Sequence, residues 1–161
     1  MVLCGHSMGG AIAQLYALKY PAELRGIVLI GTGARLRVDP RFTKECEEGF
    51  RDSQLWLSHR KSDYGNVETE MRRALLTRVV EVGPLVKLND LRCCDQFDLM
   101  DRVDEIRLPT QVICGTEDVY TPVKYSEYLG GKIEGSRKTI LEGATHWVQL
   151  ERYREVNAAI E

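Results

Sequence analysis

Residues suited to acyl-group chemistry occur near both ends of the chain, beginning with a serine. The pentapeptide Gly5-His6-Ser7-Met8-Gly9 fits the pattern G-x-S-x-G and lies between an apolar run and a helical pattern. Glycines two before and two after the serine are expected to let strand and helix approach closely in a strained turn. The pattern therefore predicts Ser7 as a nucleophile, although a serine that caps a helix would fit the pentapeptide alone.

A serine hydroxyl is a weak nucleophile at neutral pH, so it needs a neutral imidazole that takes its proton. The chain has three histidines. We expect the side chain of His6 to project away from Ser7 and to serve packing or a substrate pocket, and His59 to be solvated. His146 follows the last apolar run, where the chemical groups of open α/β folds collect. We predict His146 as the base and Trp147 as a pocket residue.

The imidazole in turn needs a carboxylate that orients it. Asp118 and Glu117 both follow the apolar run Val112-Ile113-Cys114 through a glycine turn. Successive loop side chains diverge, so only one of them faces His146, and Asp118 is the predicted acid. A surface turn would also favour aspartate. The loop Gly31-Thr32-Gly33 after another apolar run contains no carboxylate.

These residues need a sheet to bring them together, and four short apolar runs can form it. Each run is continuous and rich in β-branched residues, which is typical of strands covered on both faces in a parallel sheet. The runs are Val2-Leu3-Cys4, Ile27-Val28-Leu29-Ile30, Val112-Ile113-Cys114 and Thr139-Ile140-Leu141.

Helical patterns connect the runs at both ends of the chain. A helix is predicted over residues 10–19, and it ends before Pro21 because the residue before a proline disfavours α geometry. Its buried face is expected to comprise Ala11, Ile12, Leu15 and Leu18. Further helices are predicted near residues 123–129 and 150–160. The fold class is therefore α/β.

The middle of the chain contains no strand-like run. Pro40, Gly65-Asn66 and Gly83-Pro84 divide this charged, helical region into about three helices. We predict that residues 1–35 and 101–161 form the α/β core and that residues 36–100 are a helical insertion.

Composition excludes several classes of protein. The 161 residues include 22 basic and 24 acidic side chains, without a long run of one charge, which argues against nucleic acid as a partner. No membrane span or secretory signal is visible, so a cytoplasmic location is expected. The five cysteines lack metal-site spacing, so free thiols are expected and no metal is.

Three segments resemble the α/β-hydrolase superfamily: VLCGHSMGG at 2–10, PTQVICGTED at 109–118 and GATH at 143–146. The insertion resembles the variable cap of that family, which is expected to set substrate choice. The resemblance implies that the four runs are the fifth to eighth strands, that the preceding strands are absent, and that the chain is a fragment. A second oxyanion-hole donor would then lie outside the chain, and the free strand edge at Val2-Leu3-Cys4 would invite self-association.

The order serine, aspartate, histidine is also that of α/β-hydrolases. The resemblance implies a serine hydrolase that cleaves a small carboxylic ester, lactone or related acyl substrate through an acyl-enzyme, without a cofactor. Ser7 would attack, His146 would transfer the proton, Asp118 would hold the imidazole, and the Met8 amide would bind the oxyanion. Two alternatives stay open: a carbon–carbon bond hydrolase or cofactor-free perhydrolase, and a ligand-binding homologue without turnover.

Overall fold

The core of the protein is a four-stranded parallel sheet. The computed structural model describes residues 1–161. The strands β1 (Val2–His6), β2 (Gly26–Ile30), β3 (Thr110–Gly115) and β4 (Arg137–Leu141) lie in the order β1-β2-β3-β4. All three neighbouring pairs are parallel, so the carboxyl ends of the strands share one edge of the sheet. The predicted α/β class and the four predicted strands are confirmed.

The two inner strands form the buried centre of this sheet. Every residue of β2 is buried, as is every residue of β3 except Gln111. The expectation that all strands are covered on both faces is wrong for β1 and β4, which are edge strands and keep exposed positions. In β1, Leu3 packs on the core, whereas Val2 and Cys4 are exposed. Self-association through this edge stays a prediction.

Helices cover the sheet on both faces. One face packs against α1 (Met8–Lys19) and α5 (Val123–Lys132), and the other against α6 (Val148–Glu151) and α7 (Tyr153–Ile160). The predicted helix 150–160 is thus two helices. Short 3₁₀ turns at Pro21–Glu23 and Val103–Glu105 complete the connections.

The buried face of α1 differs from the prediction. Ile12 and Leu15 are 55% and 47% exposed, whereas Ala13, Gln14 and Ala17 are buried. The small side chains of Ala13 and Ala17 let the helix lie close to the sheet, so large apolar residues on the opposite face are left outside. The predicted burial of Ala11 is confirmed, and Leu18 is partly buried against the core.

The chain divides into two compact units, Met1–Leu36 with Phe97–Glu161, and Arg37–Gln96. The second unit contains α2 (Pro40–Gly49), α3 (Ser53–Asp63) and α4 (Thr69–Gln96). Gly83 interrupts α4 with φ 75° and ψ 173°, at the predicted Gly83-Pro84 break. The role of this unit as a cap stays a prediction.

A small core holds the second unit together. Its buried members are Cys46, Trp56 and Leu88. The expectation that His59 is solvated is wrong, because this residue is half-buried in α3 with a fully buried Nε2. No helix of the protein has both the length and the apolar composition needed to cross a membrane. The cytoplasmic location stays a prediction.

Candidate active site

The turn between β1 and α1 is strained, as predicted. Ser7 has φ 54° and is the only non-glycine residue with a positive φ. Such a conformation costs of order 1–3 kcal/mol and persists only where neighbours enforce it. Here the Ser7 N–H donates to the Ile30 carbonyl at 2.9 Å, and Thr32 Oγ1 donates to the Ser7 carbonyl at 2.8 Å. The loop after β2 therefore holds the serine at the carboxyl edge of the sheet.

Close approach of strand and helix depends on Gly5. A Cβ atom on Gly5 would lie 2.1 Å from the Gly9 carbonyl oxygen, which no backbone adjustment of a few tenths of an ångström relieves. The expectation that Gly9 serves the same purpose is wrong, because a Cβ there meets nothing within 4 Å. The second tight position is Gly10, where a Cβ would lie 2.5 Å from the Thr32 side chain.

Asp118 and His146 form a buried hydrogen-bonded pair. His146 Nδ1 lies 2.8 Å from Asp118 Oδ2, and the two residues are only 5% and 4% exposed. Because a carboxylate can only accept, Nδ1 carries the proton of the neutral ring. This tautomer leaves Nε2 free to accept a proton, which is the state that a general base requires.

Three further donors hold the Asp118 carboxylate. Oδ1 accepts from the backbone N–H groups of Tyr120 at 2.9 Å and Thr121 at 2.8 Å, and Oδ2 accepts from Thr121 Oγ1 at 2.8 Å. Burial raises the pKa of Asp118, but the hydrogen bond and charge of His146 and the Thr121 donors outweigh it, so that the pKa lies below its usual value. The carboxylate is therefore ionised at neutral pH.

The competing carboxylate is placed elsewhere. The side chain of Glu117 is exposed, and its backbone N–H donates to the Ala144 carbonyl at 2.9 Å. Adjacent side chains diverge, as expected, so Asp118 and not Glu117 meets His146.

Residues next to Ser7, and not Ser7 itself, contact this pair. The structure contains no hydrogen bond from Ser7 Oγ to His146, and catalytic hydrogen bonds are often long before substrate binds. However, His6 Nε2 lies 2.8 Å from the His146 carbonyl oxygen. A Cβ on Gly31, in the loop that holds Ser7, would lie 3.3 Å from His146 Nδ1 and 3.4 Å from Asp118 Oδ2. The structure thus pairs acid with base directly and places the base beside the nucleophile turn.

The predicted oxyanion donor is the N–H of Met8, the first residue of α1. The N–H groups of Gly10 and Ala11 donate back to the Ser7 carbonyl, whereas that of Met8 donates to no group of the chain. The positive end of the helix dipole adds to its attraction for an anion. The role of Met8, and a second donor outside the chain, stay predictions.

Aromatic side chains surround the base. The ring centroids of His6, Tyr120 and Trp147 lie 4.6, 4.8 and 5.5 Å from that of His146. Burial and the charge of His146 lower the pKa of His6 to about 4, so the His6 ring is neutral at neutral pH. The assignment of His6 and Trp147 to a substrate pocket stays a prediction. No group of three or more His, Cys, Asp or Glu side chains is arranged to hold a metal ion.

Sequence reasoning missed Thr121, the residue that contacts both members of the pair. Its Oγ1 lies 2.8 Å from Asp118 Oδ2 and 3.4 Å from His146 Nδ1. The sequence does contain a pattern that predicts this contact, because an aspartate that begins a turn accepts hydrogen bonds from the N–H groups two and three residues later. The spacing of Asp118 and Thr121 fits that turn.

Comparison with known proteins assigns the family. The family profile described as serine aminopeptidase, S33 matches residues 1–153. Monoacylglycerol lipase abhd6-A of Xenopus laevis is 28% identical over 174 residues, covering 95% of this chain and 51% of that protein. Pimeloyl-[acyl-carrier protein] methyl ester esterase of Neisseria meningitidis is 26% identical over 161 residues, covering 89% of this chain and 61% of that protein.

Solved structures agree with this result. A thermophilic esterase matches with a TM-score of 0.81 and 34% identity, covering 99% of this chain and 63% of the esterase. The chain thus spans between about half and two thirds of the length of these relatives. The chain belongs to the serine aminopeptidase S33 family of the α/β-hydrolase superfamily.

Proposed function

We propose that the protein is a serine hydrolase that cleaves a small carboxylic ester, lactone or related acyl substrate through an acyl-enzyme. The observation that carries the proposal is the buried Asp118–His146 pair, 2.8 Å apart, beside the strained turn that presents Ser7. The names of the relatives support the reaction class, since they include a lipase and esterases.

The tautomer of His146, with its proton on Nδ1, leaves Nε2 free to take the proton of Ser7. As Ser7 Oγ attacks the substrate carbonyl carbon, its proton passes to His146 Nε2, and the carbonyl oxygen becomes an oxyanion at the Met8 N–H. Collapse of the tetrahedral intermediate breaks the bond to the leaving alcohol, which takes the proton from His146. Water then attacks the acyl-enzyme by the same route and releases the acid and free Ser7.

Asp118 supplies the electrostatic part of this cycle. Proton transfer makes His146 an imidazolium, and the ionised carboxylate at 2.8 Å stabilises that charge in a site from which water is largely excluded. The backbone donors of Tyr120 and Thr121 fix the carboxylate before the reaction begins, so little reorganisation is needed.

Covalent labelling with a fluorophosphonate probe tests the proposal. We expect the folded protein to gain one adduct at Ser7, located by mass spectrometry of peptides, and the Ser7→Ala variant to gain none. Ser58→Ala is the matched control, because Ser58 is an exposed serine of α3 and should not affect labelling. A folded wild-type protein that is not labelled, and does not hydrolyse p-nitrophenyl acetate, would favour a ligand-binding role and refute the proposal.

A further inference from the structure

The side chain next to the nucleophile is bonded to the backbone of the base. His6 Nε2 lies 2.8 Å from the carbonyl oxygen of His146, a residue 140 positions away in the chain. A carbonyl oxygen only accepts, so Nε2 is the donor and the neutral His6 ring carries its proton there. This contact fixes the tautomer of His6, as Asp118 fixes that of His146.

This hydrogen bond directly joins β1 to the loop after β4, which lie at opposite edges of the sheet. His146 follows β4 and Ser7 follows β1, at opposite edges of the sheet, with β2 and β3 between them. The other ties of the histidine loop lead away from β1: the Ala144 carbonyl accepts from Glu117, and Thr145 bonds to Glu151. The bond from His6 is therefore a direct hydrogen bond between the strand that precedes the nucleophile and the backbone of the base.

The environment keeps the donor ring of His6 neutral, although a protonated ring could donate the same hydrogen bond. Burial, followed by the charge of His146, lowers the pKa of His6 to about 4, so the ring stays neutral across the neutral range. The ring centroids of His6 and His146 lie 4.6 Å apart. A protonated His6 would therefore repel the positive charge that His146 acquires during the reaction. A neutral donor provides the hydrogen bond without that repulsion.

We propose that His6 is a positioning residue, whose Nε2–H holds the backbone of His146 at the distance from which its ring can reach Ser7. This inference rests on the proposed function. It differs from a role in the substrate pocket, because a positioning residue affects the rate of acylation equally for every acyl group. A pocket residue would instead affect substrates according to the length of their acyl chain.

Two variants with amide side chains distinguish the effect of the hydrogen-bond donor from the effect of losing the imidazole ring. In His6→Gln the side-chain N–H₂ takes the place of Nε2–H, whereas in His6→Asn it is one methylene too short to reach the His146 carbonyl. We expect His6→Asn to lower kcat by about 10- to 100-fold, since a misplacement of about 1 Å has an effect of that size. We expect His6→Gln to recover kcat to within a few-fold of the wild type.

The assay compares p-nitrophenyl acetate, butyrate and hexanoate. The proposal requires the same fall in kcat for all three esters in His6→Asn, with little change in KM. A KM that changes with chain length, or equal losses in the Asn and Gln variants, would overturn it. His6→Phe, which keeps the ring volume without the donor, provides a second comparison if His6→Asn does not fold.

A spectroscopic readout separates this proposal from the proposed function. In ¹⁵N-labelled protein, the His146 Nδ1–H signal reports the ring position without turnover. We expect the signal to broaden or shift in His6→Asn and to stay in place in His6→Gln. If the wild type shows the signal but neither reacts with a fluorophosphonate nor hydrolyses p-nitrophenyl acetate, the proposed hydrolase is wrong whatever the variants show. If it reacts and the signal is the same in all variants, the positioning role is wrong.

Discussion

Replacement of Asp118 by asparagine should block the reaction through the tautomer of His146. Oδ1 of Asp118 accepts from the N–H groups of Tyr120 and Thr121, so the oxygen of the asparagine must take that place. Its N–H₂ group then faces His146 Nδ1, which must accept. The ring proton moves to Nε2, and the base can no longer take the proton of Ser7.

The expected loss is about 10⁴-fold in kcat. A carboxylate and an imidazolium about 4 Å apart between charge centres attract each other by about 4 kcal/mol at an effective dielectric constant of about 20. To return the proton to Nδ1 costs about 1–2 kcal/mol more, because two buried donors then face each other. The sum of about 5–6 kcal/mol corresponds to roughly four factors of ten, at about 1.36 kcal/mol each.

Stopped-flow acylation with p-nitrophenyl acetate measures this loss, with circular dichroism as the check on folding. Glu117→Gln is the matched control, because Glu117 is the exposed neighbour and should stay within about twofold of the wild type in kcat. A folded Asp118→Asn protein that loses less than tenfold would refute the argument. So would ¹⁵N spectra that place the His146 proton at Nδ1 in that variant.

Two further predictions concern stability. Gly5→Ala should lower the free energy of unfolding by about 3 kcal/mol or prevent folding, because its Cβ would lie 2.1 Å from the Gly9 carbonyl oxygen. Gly9→Ala should change the free energy of unfolding by less than about 1 kcal/mol, because a Cβ there meets nothing within 4 Å. Thermal unfolding compares the two variants. Thr121→Val should lower the free energy of unfolding by about 1.5–3 kcal/mol at pH 7, because it removes the contribution of the hydrogen bond from Thr121 Oγ1 to the Asp118 carboxylate. Because the pKa of Asp118 is lowered in the folded protein, this contribution is present above the ordinary aspartate pKa of about 3.9 and is lost as the pH falls through the folded value. Urea unfolding of wild type and variant at pH 7 and pH 3 should therefore show a difference that shrinks in acid, and an equal difference at both values would contradict it.

The residues proposed for chemistry could be predicted because each lies in the loop that follows a strand, within five residues of the end of that strand. Ser7, Asp118 and His146 come just after β1, β3 and β4, and parallel strands bring such positions to one edge whatever the details of packing. A continuous apolar run predicts each strand, and a glycine turn predicts where it ends. Both patterns are local, so they can be recognised in the sequence.

The contacts around those residues could not be predicted in the same way. The His6–His146 hydrogen bond joins residues 140 positions apart, and no local pattern specifies which nitrogen meets which carbonyl. The exposure of Ile12 and Leu15 has a similar cause, because helix periodicity locates an apolar stripe but not the small-residue face that fits the sheet. Gly9 shows the converse, a motif position without the steric role that its pattern suggested.

The route of the chain through the sheet divides the site into two halves. Acid and base belong to the continuous segment from β3 to the loop after β4, whereas the serine belongs to the segment that ends with β2. In the sequence, the helical unit Arg37–Gln96 lies between these two segments. Loss of both the β2–β3 ladder and the His6–His146 hydrogen bond would separate the Ser7 hydroxyl from the His146 imidazole while the carboxylate–imidazole bond stays intact. Catalytic activity is therefore more sensitive to damage to the sheet than that bond is.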